Sequence, residues 1–129
     1  MKVLNLIIKQ KYFDAILSGR KVQEFREIRP TNAKKYIEHD AEGYAVLDED
    51  ENAVPLKYDA IRFFVGYNKD RDSALVEVTG AYVEFFVDND GNSIIYEYKG
   101  DLYEAAQIVY NLGKILETSI SEKSKKVVM

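Results

Sequence analysis

A chain of 129 residues, 47% of them hydrophobic, fits one domain able to bury a core without a covalent staple. It has no cysteine, so a disulfide framework, a thiol nucleophile and a thiolate metal site are excluded, and nothing points to an oxidising compartment. The net charge of −4 is uneven: residues 1–36 hold nine Lys and Arg against three acids, and residues 37–60 hold one Lys against eight. That balance argues against a coat for long nucleic acid and leaves local contact through the basic first third.

Lys2 to Lys9 alternates Leu4, Leu6 and Ile8 against Val3, Asn5 and Ile7, which predicts a strand. Asn5 and Lys9 interrupt the run, and no small-residue cleavage site follows, so it is not read as a signal peptide. No stretch approaches the roughly 20 apolar residues of a membrane helix, and the cytoplasm is the expected address. Lys11 to Ser18 changes period: Phe13, Ile16 and Leu17 predict a short helix, with Gly19 as its left-handed C-terminal residue. Lys21 to Ile28 is again extended, Arg29-Pro30 breaks it, and Thr31 is placed to cap a helix over Asn32 to Glu38.

Gly43 to Leu47 and Ala53 to Lys57 flank Asp48-Glu49-Asp50-Glu51-Asn52, which reads as a hairpin with an acidic tip and Pro55 at a sheet edge. Ala60 to Tyr67 and Ala74 to Phe86 read as strands joined by the charged connector Asn68 to Asp72. Asp88 to Asn92 is a turn signal, and Ser93 to Tyr98 is expected to return as its hairpin partner. Leu102 to Leu116 fits two periods; Gly113 tips the reading to a strand over Gln107 to Leu116, pairing near the N-terminal strand. Residues 1–117 are then one domain and 118–129 a polar tail, with Lys123, Lys125 and Lys126 in it. No internal repeat is visible. The expected class is α+β, mainly β: a small mixed or antiparallel β-barrel with two or three short helices, since closure removes exposed edges.

Most candidate chemistry has a plain structural reading. His39, the single histidine, lies between Glu38 and Asp40 in what reads as a solvated loop and lacks the partners of a triad or a metal site. Asp48 to Glu51 and Asp88 to Asn92 lack the spacing of a calcium loop and read as turns. No metal site and no cofactor are expected. Tyr82, Tyr96, Tyr98, Tyr103 and Tyr110 read as cross-strand packing. Lys69 and Arg71 lie in a loop after the aromatic Phe63-Phe64 strand, where function is often carried.

The segment KYFDAILSGRKVQEFRE, residues 11–27, holds Gly19, Lys21, Glu24 and Arg26 in the spacing Gly-x-Lys-x-x-Glu-x-Arg after an Ile-Leu-Ser-Gly helix end. It resembles the opening of ASCH domains of the PUA-like superfamily, and Tyr110 to Leu116 looks like the closing strand of such domains. The resemblance implies a PUA-like barrel in which this segment lines a cleft beside the first helix. By kinship with PUA domains it implies an RNA or nucleotide-like partner, bound by Lys21, Glu24 and Arg26. Lys21 offers a mobile charge and Arg26 a planar fork; Tyr12 is a candidate stacking face and Lys69 a neighbouring cation. The bland alternative is a Glu24–Arg26 ion pair that supports the fold.

Two other functions stay in view. Some small bacterial ASCH proteins are amidohydrolases on acetylated cytidine that use a Thr, a Lys and a Glu. Lys21 matches their lysine, but Glu24 stands where the nucleophilic Thr belongs and Val22 supplies no hydroxyl. The amidohydrolase activity is therefore not carried over and no catalytic residue is assigned; a small hydrolase or nuclease acting on modified nucleosides or RNA is the alternative reading, with no particular residues to place it on. The acidic 37–60 hairpin is alternatively a dock for a basic partner.

Overall fold

A computed structural model describes residues 1–122, and the lysine-rich tail expectation from Lys123 onward falls outside the described residues. Seven strands and two short helices are found among them: β1 (Val3–Ile8), α1 (Gln10–Leu17), β2 (Gln23–Ile28), α2 (Ala33–Tyr36), β3 (Ala60–Val65), β4 (Ser73–Phe85), β5 (Ile95–Tyr98), β6 (Asp101–Glu104) and β7 (Ala106–Ser119). The fold is α+β and mainly β. Strands β1, β3, β4, β7 and β2 hydrogen-bond in that order, and β5 pairs with β6 in a separate ribbon.

The described sheet does not close into a barrel: its row ends at β1 and β2. The placement of β7 corrects the expectation that it would pair near the N-terminal strand. β7 and β4 are long, at 14 and 13 residues, and β7 takes β4 on one edge and β2 on the other. Neither edge of β7 is left for β1, which instead pairs in parallel with β3, Leu4 opposite Ile61 and Leu6 opposite Phe63. The strand also runs past Leu116 to Ser119, and Ser121 beyond it is buried, so ordered chain extends beyond residue 117.

By contact the described residues form two compact units, one of residues 1–24, 57–80 and 111–122, the other of 25–56 and 81–110.

In the first unit, alternate residues of β1 (Leu4, Leu6, Ile8), β3 residues Ala60, Ile61 and Phe63, and β4 residues Ala74, Leu75 and Val76 are buried with Phe13 and Ile16 of α1. The period-two and period-3.6 stripes of these elements are the reason each presents one apolar face. Asp72, also buried, accepts from the Ser121 amide (2.9 Å) and from the Gln10 side-chain amide (3.1 Å), tying the end of the β3–β4 loop to the chain after β7 and to the start of α1.

In the second unit, Tyr36, Ile37, Ala106, Ile108, Val109 and Tyr110 are buried, with the Tyr36 and Tyr110 rings 6.4 Å apart. α2 is a single turn begun by Asn32 rather than by Thr31. The Asn32 side chain accepts from the Arg29 amide and donates to the Glu27 carbonyl, which holds the corner that Pro30 opens.

The acidic hairpin is more than a two-strand ladder. The Val46 amide donates to the Glu38 carbonyl (2.9 Å), Val54 to Val46 (3.0 Å) and Glu38 to Val54 (2.8 Å), a closed ring of three segments. A second ring has the same order: Ile94 to Phe86 (3.2 Å), Ala105 to Ile94 (2.8 Å) and Phe86 to Ala105 (2.9 Å). This backbone repeat was not visible in the residues. The turns within the rings are alike too: Asp40, Asp48 and Asp88 each use Oδ1 to accept the amides two and four residues on. Those aspartates are turn-formers, as expected for Asp48 and Asp88. Ser93 meets Val87, but the ladder partner of β5 is β6 rather than the long preceding strand. A tight turn at Lys99 (φ 50°) and Gly100 (φ 86°) makes that second hairpin.

Candidate functional site

The first unit carries a half-open cleft of about 300 Å³ at the C-terminal end of α1. Ile16, Gly19, Lys21, Val76, Leu112 and Gly113 contribute to its wall. Its shape begins with how the helix stops. Gly19 takes φ +81°, a conformation that costs a residue with a Cβ, and its amide donates to the Ile16 carbonyl (3.1 Å). The Arg20 and Lys21 amides both donate to the Ala15 carbonyl at 3.0 Å. The chain therefore doubles back over the last helical turn before β2 begins, and Lys21 swings to the side of Glu24.

Lys21 Nζ lies 3.3 Å from Glu24 Oε1, with the two side chains only 18% and 7% exposed. The same ammonium stands 5.6 Å from the centre of the Tyr12 ring, and Lys11 Nζ stands 4.9 Å from it. Tyr12 is 44% exposed, so one ring offers surface to solvent while two cations flank it. Helix C-termini repel anions, so the Lys21 cation in the cleft wall is the group that suits a phosphate, and there it competes with Glu24.

Of the expected site residues, Tyr12, Lys21 and Glu24 are brought together. Glu24 does not face outward to a ligand: it is buried and directed at Lys21. Arg26 lies two residues along β2, half-buried, in the part of the strand that belongs to the second unit. Lys69 is exposed in the β3–β4 loop. That loop ends at Asp72 against Gln10, the first residue of α1, whereas Gly19 and Lys21 follow its last, so about 12 Å of helix separates the two. Arg71 braces the same loop, its guanidinium 4.0 Å over the Phe64 ring and donating to the Gly66 carbonyl.

Val76, Leu112 and Gly113 are wall residues that the sequence reading did not name. One signal was present: a glycine inside a strand marks close approach. A Cβ at Gly113 would overlap the Glu77 carboxylate and come within 2.8 Å of Thr79 Cγ2. The Leu112 amide donates to the Val22 carbonyl (2.9 Å) and the Gln23 side chain to Asn111 Oδ1 (2.8 Å), which joins β7 to the start of β2.

His39 is half-buried, its Nδ1 2.8 Å from the Ile37 carbonyl, which makes it a local brace rather than a solvated loop residue. No cluster of three or more metal-ligating side chains occurs among the described residues. No helix among them is long and apolar enough to cross a membrane. Comparison with family models, with curated proteins and with solved structures gives no match.

Proposed function

We propose that this chain is an ASCH-type binding module of the PUA-like kind whose cleft beside α1 takes a nucleotide-like or RNA ligand. The observation that supports the reading is the fixed Lys21 ammonium, held in the cleft wall after the Gly19 turn, between a buried carboxylate and an exposed aromatic ring. The aliphatic side chains of Ile16, Val76 and Leu112 in a mixed polar and apolar wall suit the face of a base, the Tyr12 ring suits stacking, and Lys11 and Lys21 suit a phosphate. Hydrolysis is not part of the reading, because Glu24 occupies the position a nucleophilic hydroxyl would need and is already committed to Lys21. A cytoplasmic setting belongs to the same reading and rests on the cysteine-free composition.

The test is a thermal-shift panel of nucleosides, nucleotides and short RNAs, followed by titration of any hit against Lys21→Gln. One reproducible ligand whose affinity drops about tenfold in the variant, with salt dependence, supports the reading. A hit that binds the variant unchanged, or a panel without a hit, removes this cleft as the site.

A further inference from the structure

The β5–β6 ribbon of the second unit has two unlike faces. Tyr96, Tyr98 and Tyr103 share one, which is half-buried. There Tyr96 stacks on Tyr103 at 5.7 Å, and the Arg29 guanidinium lies 4.7 Å over Tyr96. The other face carries Ile95, Glu97, Leu102 and Glu104, all exposed. The register sets Ile95 opposite Glu104 and Glu97 opposite Leu102, so the two apolar side chains lie diagonally, each facing an acid. Leu102 is 74% exposed and Ile95 50%.

Single exposed apolar residues need no explanation, but neighbouring ones framed by one sign of charge are the pattern of an interaction surface. The charge is consistent over the whole stretch: residues 81–110 hold one Lys and six Asp and Glu. Within the sheets of the described residues, β5 and β6 pair only with each other, so each leaves an outer edge outside the ladder.

We propose that this face docks an extended, basic segment of another protein, one that alternates Lys or Arg with aliphatic residues. The aliphatic side chains would cover Leu102 and Ile95, the cations would meet Glu97 and Glu104, and the segment's backbone would join a ribbon edge. Charge decides among occupants. A polyphosphate or an anionic membrane is repelled by the acids. A second copy of the chain would set Glu97 and Glu104 against their own counterparts, an unfavourable pairing of like charges. The proposal is independent of the cleft beside α1, which lies in the other unit.

The experiment measures fluorescence anisotropy of the full chain with a short labelled peptide alternating lysine and valine. Expected results are saturable binding to the parent, a loss of about tenfold in Leu102→Ser, and a larger, salt-sensitive loss in Glu97→Lys/Glu104→Lys. The charge-reversed variant is further expected to prefer a glutamate–valine peptide. These positions are exposed, so unchanged melting curves separate lost docking from lost fold. The proposal is overturned if the parent does not bind, if the variants bind as the parent does, or if a peptide of lysine and serine binds equally well. A parent dimer that Leu102→Ser dissolves assigns the face to a second copy and overturns it too, as does RNA binding lost in that variant.

Discussion

Lys21 and Glu24 meet at 3.3 Å only because the chain reverses at Gly19; on a straight strand, residues three apart point to opposite faces. The pair is mostly shielded from water, which makes it costly to break from one side. Glu24→Ala, which removes the carboxylate partner of the ammonium, is expected to lower unfolding free energy by about 1–3 kcal/mol, and Glu24→Gln by less, because the amide still accepts a bond. Urea denaturation of Glu24→Ala, Lys21→Met and the Lys21→Met/Glu24→Ala double variant, beside the parent, completes a double-mutant cycle. A coupling near zero would mean the pair does not hold the turn.

Tyr12 is expected to matter to binding far more than to stability. Replacement by Leu keeps the bulk and removes the aromatic face between Lys11 and Lys21. A ligand whose base stacks there should bind about 1–3 kcal/mol more weakly, while Tyr12→Phe should bind as the parent. Equal affinities for the Leu and Phe variants would rule out stacking at this ring.

Gly113 tests close packing at the cleft wall. Glu77 can swing aside from a new methyl group, but Thr79, β-branched and on a neighbouring strand, cannot easily do so. Gly113→Ala is therefore expected to destabilise by about 1–3 kcal/mol, the usual range for overpacking. Paired with Thr79→Ser, which removes the obstructing methyl, it should recover part of that loss. A neutral Gly113→Ala would show that the strands part without cost.

Lys99 holds a left-handed backbone at φ 50° in the β5–β6 turn, next to Gly100 at φ 86°. Asn tolerates that conformation better than Lys, and Asn-Gly is the favoured pair in such turns. Lys99→Asn should raise the melting free energy by about 0.5–1 kcal/mol. A calorimetric comparison that finds no gain would mean the ribbon frays before the global transition.

Tyr58 links stability to alkaline pH. Burial raises its phenol above the ordinary value of 10.0, so the unfolded chain releases the proton first. Its contribution is intact below pH about 10 and is lost as pH rises through the folded value. Denaturant midpoints at pH about 9 and about 11 should fall less in Tyr58→Phe than in the parent. An identical fall in both would assign the alkaline loss to other groups.

Local chemistry was legible in the residues because its causes are local. The apolar period of Phe13 and Ile16, the glycine that ends α1, and the aspartates that fold their own turns at 48 and 88 each act within a few positions. The strand at Gln107 to Leu116 was readable for the same reason, from alternation and a glycine that disfavours helix. The Lys99-Gly100 hairpin went unread because a lysine is an uncommon residue for a left-handed turn position. Tertiary structure alone decided the rest. Which edges β7 would occupy depends on the lengths of β4 and β7 and on the edges left over, not on any residue of β1. Whether Glu24 would face a ligand or a lysine depended on how far the Gly19 turn rotates the chain and on the packing that then closes over β2. Both are properties of groups far apart in sequence, and alternation along one strand carries no information about them.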